Sequence, residues 1–187
     1  MPGKSNRSAS QKKASSKGIA RTKTAKAGPA AGLEPGAKAP DFTLPRDGGG
    51  TVALSDFAGR KLVLYFYPKA DTSGCTKEAN DFSRLKAEFG RAGTDILGVS
   101  ADPVKALDTF KTKHRLGVTL ASDEKHKMLD AYGVWQEKSM YGRKFLGIVR
   151  TTFLIGPDGR IAEVWPRVRV DGHADEVLAA AKHPKGL

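Results

Sequence analysis

The chain has 187 residues, 39% of them apolar, enough for one core of about 150 residues plus an extension. The longest apolar stretch, Leu62 to Tyr67, is strand length, far below the ~20 residues a membrane helix needs, and no apolar segment follows the N-terminal charges, so no secretory signal is expected. The net charge of +12 is uneven: Lys4, Arg7, Lys12, Lys13, Lys17, Arg21, Lys23 and Lys26 fall in residues 1–33 with no acid among them, leaving 24 basic against 20 acidic residues in the rest.

Residues 1–34 are predicted to be a basic disordered tail, because Ala, Ser, Lys and Gly cannot bury enough surface to offset the entropy of ordering. One domain is expected over 35–187. Ala39 to Leu44 reads as an extended segment ending at Pro45, and Thr51 to Leu54 as a second short strand. Ser55 is placed as the cap of a turn or short helix running to Gly59. Lys61 to Tyr67 is apolar after its first residue, which suits a central strand covered on both faces. Pro68 ends it. After a loop, a helix is predicted from about Cys75 to Arg91, with Ala79, Phe82, Leu85 and Phe89 on its inner face.

Ile96 to Val99 reads as another buried strand. Pro103 suits the first turn of a helix carrying Val104, Leu107 and Phe110. Val118 to Leu120 is a short strand, and Asp123 caps a helix with Met128, Leu129 and Tyr132 inside. Thr151 to Ile155 and Arg160 to Trp165 are strands joined by the turn Gly156-Pro157-Asp158-Gly159. Ala174 to Lys182 is a closing amphipathic helix. Strands alternating with helices and ending in a hairpin predict an α/β fold with a mixed sheet.

Chemistry concentrates on the one cysteine. With no second thiol, an intramolecular disulfide is excluded. His114, His126, His173 and His183 lack metal-ligand spacing, so neither metal nor cofactor is expected. Trp135 and Trp165 read as packing residues. Cys75 follows a buried strand and opens a helix, where free N–H groups and the helix dipole favour an anion. The thiolate is the reactive form. On position alone two readings stand, a reactive thiolate and an inert buried thiol. Glu78 reads as a first-turn acid facing the dipole rather than as a base.

The run Pro68-Lys69-Ala70-Asp71-Thr72-Ser73-Gly74-Cys75-Thr76-Lys77-Glu78 resembles the peroxiredoxin motif, and its Gly-Cys-Thr-Lys-Glu continuation is similar to the bacterioferritin-comigratory, or PrxQ, class. Ala39 to Leu44, Gly98-Val99-Ser100, Tyr141 to Lys144 and Arg150 to Ile155 extend the resemblance over roughly residues 35–183. It implies a thioredoxin-like fold and a thiol peroxidase acting on hydrogen peroxide and organic hydroperoxides. By the same resemblance Cys75 is the peroxidatic nucleophile, Thr72 positions the peroxide, Arg150 stabilises the thiolate and the developing charge, and Pro68 shapes and shields the loop. Taken singly, Thr72 is a loop residue, Pro68 a strand terminator and Arg150 a surface ion-pair partner.

Two positions depart from the class. Asn80 stands where many members carry a resolving cysteine, so the resemblance implies a one-cysteine cycle finished by an external thiol, with thioredoxin or glutaredoxin and glutathione as candidates. Ser73 replaces a frequent Pro and loosens the loop. A monomer or weak dimer in the cytoplasm is expected. For residues 1–33 three readings stay open: an inert soluble linker, a nonspecific nucleic-acid contact, with nucleoid or nuclear association, and an organellar transit peptide. The nucleic-acid reading frames the alternative function, an oxidant sensor or DNA-protecting protein. A dithiol oxidoreductase is disfavoured, because the position three after Cys75 is Glu78.

Overall fold

The computed structural model describes residues 33–184. The readings placed on residues 1–32, including tail disorder and nucleic-acid contact, lie outside the described residues. Leu33 is already buried.

A five-stranded mixed sheet runs in the order β5-β4-β3-β8-β9. Its strands are β3 (Lys61–Phe66), β4 (Thr94–Ser100), β5 (Thr119–Ser122), β8 (Thr151–Ile155) and β9 (Ile161–Pro166). β3, β4 and β5 are parallel, while β8 is antiparallel to both β3 and β9. The central position of β3 explains its unbroken apolar run. Val63, Tyr65 and Tyr67 point into one cluster with α1 (Ser73–Arg91), α2 (Val104–His114) and α4 (His173–Lys182). Leu62, Leu64 and Phe66 point into the other, with α3 (Lys127–Ala131) and the small sheet of β1 (Thr43–Pro45) and β2 (Thr51–Ala53). Both faces are covered, so alternation disappears.

Gly98 has a specific packing role. A Cβ there would lie 2.5 Å from Cζ and 2.6 Å from the hydroxyl oxygen of Tyr65. The missing side chain is what lets the Tyr65 ring lie across the neighbouring strand.

Several expectations need correction. After β2 the short-helix alternative holds, as a 3-10 helix over Leu54–Phe57, but Ser55 lies inside it rather than capping it; the cap comes from Asp56, whose Oδ2 accepts from the Ala53 N–H at 2.8 Å. Pro103 occupies the N-cap of α2 rather than its first turn. Asp123 acts from outside α3, accepting the Leu129 N–H at 2.8 Å while His126 holds the N-cap position. The antiparallel pair β6 (Trp135–Met140) and β7 (Arg143–Ile148) was not predicted. Its turn is Tyr141-Gly142, with φ of 51° and 75°. Such a turn usually shows Asn or Asp before Gly, and the strands carry little apolar alternation because they face solvent. Among the described residues no helix is long and apolar enough to cross a membrane.

Candidate active site

α1 starts at Ser73, two residues before the predicted start, so Cys75 is its third residue. Its apolar stripe of Ala79, Phe82, Leu85 and Phe89 is buried as expected. Cys75 belongs to the same stripe and is only 2% exposed. Burial alone fits an inert thiol, but the sulfur also has a charged neighbour.

That neighbour is Arg150. β8 pairs with β3 through Thr151 opposite Phe66. Arg150, one residue ahead of β8, is therefore carried to the end of β3, where the chain leaves for the Cys75 loop. Its Nη2 donates to Cys75 Sγ at 3.2 Å, and its Nη1 donates to Glu78 Oε2. Glu78 lies three residues beyond Cys75 and so on the same helix face. The guanidinium thus bridges a sulfur and a carboxylate, with the Glu78 side chain 2% exposed and that of Arg150 15%.

Electrostatics follow from this burial. Removal from water pushes the Glu78 carboxyl up to about 7, against the opposing pull of Arg150. Burial works against the Arg150 cation, but Glu78 and Cys75 outweigh it and raise its pKa. Glu78 Oε1 and the Tyr65 hydroxyl are buried without a hydrogen-bond partner. Burial first, then neighbouring acidic groups, raises Tyr65 well above the ordinary phenol range, so it stays neutral. Behind Arg150, His173 is buried, pairs with Thr152 Oγ1 at 2.9 Å, and is pushed down to about 4 by burial.

Thr72 occupies the N-cap position of α1. Its hydroxyl donates to the Lys69 carbonyl at 2.9 Å, which leaves the hydroxyl oxygen free to accept. Thr72 is exposed, and Pro68 is half-buried where β3 ends. Asn80 is exposed on α1. Among the described residues no group of three His, Cys, Asp or Glu side chains could hold a metal ion. A cleft of about 480 Å³ lined by Phe42, Leu44, Ser122, Asp123 and Met128 opens beside the other core cluster and includes no residue of the Cys75 group.

Residues 35–164 match the AhpC/TSA family. The chain is a peroxiredoxin of that family. It is 50% identical over 146 residues to the putative peroxiredoxin bcp of Coxiella burnetii, covering 78% of this chain and 97% of that one. It is 44% identical to peroxiredoxin Bcp of Bacillus subtilis, covering 80% of this chain and 96% of that one. Among solved structures, peroxiredoxin Q of Xanthomonas campestris superposes with a TM-score of 0.73 at 48% identity, covering 77% of this chain and 92% of that one. These relatives place the peroxiredoxin in the Bcp, or PrxQ, class, and its α/β sheet is the thioredoxin-like one.

Two expectations about this peroxiredoxin's site change. Glu78 is not a first-turn acid facing the dipole: α1 starts at Ser73, so Glu78 falls in its second turn, buried and ion-paired with Arg150. Its signal was present in the sequence. Positions 75, 78, 79, 82, 85 and 89 form one helical stripe, and an acid inside such a stripe needs a buried partner. Arg150, read singly as a surface ion-pair partner, instead pairs with a buried acid.

Proposed function

We propose that Cys75 is the peroxidatic nucleophile of this peroxiredoxin and that its cycle runs on one cysteine, completed by an external thiol. The observation that carries this reading is the Arg150 Nη2 donor 3.2 Å from Cys75 Sγ. A permanent cation donating to sulfur stabilises negative charge there and supplies the nucleophile. The thiolate attacks one oxygen of ROOH, the O–O bond breaks, and the departing RO⁻ takes a proton to leave as alcohol or water. Arg150 stabilises the charge as it moves to that oxygen. Thr72 presents an acceptor to the peroxide O–H, and Pro68 bounds the loop that surrounds the sulfur.

The product is a Cys75 sulfenic acid. A thiol R′SH then attacks its sulfur, expelling water and leaving a mixed disulfide. A second thiol releases Cys75 and carries away the disulfide. Asn80 offers no thiol for this step. Thioredoxin, or glutaredoxin with glutathione, fits the requirement, and a cytoplasmic setting supplies such thiols. The bacterioferritin comigratory protein of Xanthomonas campestris has alkyl peroxide reduction activity; we assign hydrogen peroxide and alkyl hydroperoxides to the present chain.

The test is peroxide consumption under excess dithiothreitol, with mass analysis of Cys75 after one equivalent of peroxide. One added oxygen on Cys75, removed by thiol, is expected in the wild type, and no consumption in Cys75→Ser. Wild-type turnover in Cys75→Ser would refute the assignment.

A further inference from the structure

The loop between β3 and Cys75 is tied down at a point the peroxidase chemistry does not use. Asp71 has φ of 61°, a left-handed conformation. Asp and Asn tolerate this better than most side chains. Its carboxylate is held by two side chains from the end of α2: Lys113 Nζ at 2.7 Å and His114 Nε2 at 2.6 Å. Lys113 first, with His114, keeps Asp71 below the usual carboxylate range. The anchor itself is firm. The His114 ring packs edge-on against Phe110, which packs against Tyr67, the residue before Pro68. On the other side the loop is fixed by the Ala70 N–H, which donates to Asp102 Oδ2 at 2.7 Å.

This fastening bears on one step. Cys75 is 2% exposed. A hydroperoxide is small, but a thiol borne by another molecule is too bulky to reach a sulfur this deeply buried. Reduction therefore requires the 68–74 segment to move, and movement parts Asp71 from Lys113 and His114. We propose that Asp71 is a positioning residue that clamps the Cys75 loop closed through Lys113 and His114, and so limits how fast an external thiol reaches the oxidised sulfur. The proposal rests on the one-cysteine reading above. The balance of that step is unchanged: sulfenic acid and thiol give a mixed disulfide and water, and only access differs.

The experiment uses the full chain and three variants: Asp71→Asn, Lys113→Gln/His114→Gln, and all three changes together. Asn keeps the size and the left-handed tolerance of Asp but not its charge. Two rates are measured by stopped flow: oxidation of reduced enzyme by hydrogen peroxide, and reduction of the sulfenic acid by thioredoxin. In Asp71→Asn we expect thioredoxin to react about two- to fivefold faster, the range that exposed charged pairs contribute, with oxidation within about twofold of wild type. The triple variant should be no faster than Asp71→Asn. Added salt should speed reduction of the wild type more than that of Asp71→Asn, the salt dependence of the encounter being common to both. An unchanged reduction rate, a parallel fall of both rates, additive gains in the triple variant, or equal salt responses would each overturn the clamp. If wild-type Cys75 forms no sulfenic acid, or no thiol reduces it, the one-cysteine reading itself fails; failure of the clamp alone appears in a wild type that completes its cycle.

Discussion

Replacing Arg150 by Met keeps most of the side-chain length and removes both donors that meet Cys75 and Glu78. Loss of one donor to a developing anion typically slows an enzyme about 10²–10³-fold, and the same fall is expected for the reaction of Cys75 with peroxide. Stability should respond differently. Breaking a buried ion pair by deleting one partner usually costs about 3–5 kcal/mol. Here burial already holds Glu78 at about 7 against the pull of Arg150, and removing Arg150 raises it further, so near neutrality the stranded carboxyl takes up a proton instead of remaining charged. The penalty should therefore be near 1 kcal/mol at pH 7 and grow by about 1.4 kcal/mol for each pH unit above it. Stopped-flow oxidation gives the first quantity, and urea unfolding at pH 6, 7 and 8 gives the second. Adding Glu78→Gln to Arg150→Met should remove the pH-dependent penalty and leave the rate low. Wild-type oxidation in Arg150→Met, or recovery of the rate in the double variant, would refute the reasoning.

Two buried groups should shape the acid side of the stability profile in opposite directions. Glu78 is raised from 4.5 to about 7, so between those values the folded chain holds a proton that the unfolded chain has lost, and stability falls as pH rises. His173 is lowered from 6.5 to about 4, so between those values the unfolded chain holds the extra proton, and stability rises with pH. Relative to wild type, Glu78→Gln should gain up to about 3 kcal/mol from pH 4.5 to 7, and His173→Gln a similar amount as pH falls from 6.5 to 4; profiles parallel to wild type in chemical denaturation would rule this out. Gly98→Ala should cost about 1–3 kcal/mol by overpacking, since its Cβ would meet the Tyr65 ring at 2.5 Å. Tyr65→Leu in the same chain should recover part of that loss in urea midpoints, and no recovery would show that the strain lies elsewhere.

The central strand, the long helix after it and the closing hairpin were legible because each carries a local pattern. Lys61 to Tyr67 has the continuous apolar run of a strand covered twice, and α1 repeats its apolar residues at helical spacing. Gly156 to Gly159 has turn chemistry that depends on four residues alone. The β6–β7 hairpin was not legible. Its strands face water, so burial leaves no alternation, and Tyr141 occupies a turn position that usually carries Asn or Asp.

At the site, the amino-acid sequence already requires one thiol to carry any cysteine chemistry, places it after a buried strand at the start of a helix, and offers no second sulfur at Asn80. Those are facts of order and composition. What stands beside the sulfur follows instead from strand pairing and helix packing. Arg150 reaches Cys75 because β8 pairs with β3 in one register, and Glu78 meets Arg150 because the helix turns both side chains to one face. Asp71 meets Lys113 and His114 for a similar reason: α2 ends beside the loop. Residues 42 to 75 positions apart come together through strand pairing and helix packing, and no local pattern records which of many charges will meet.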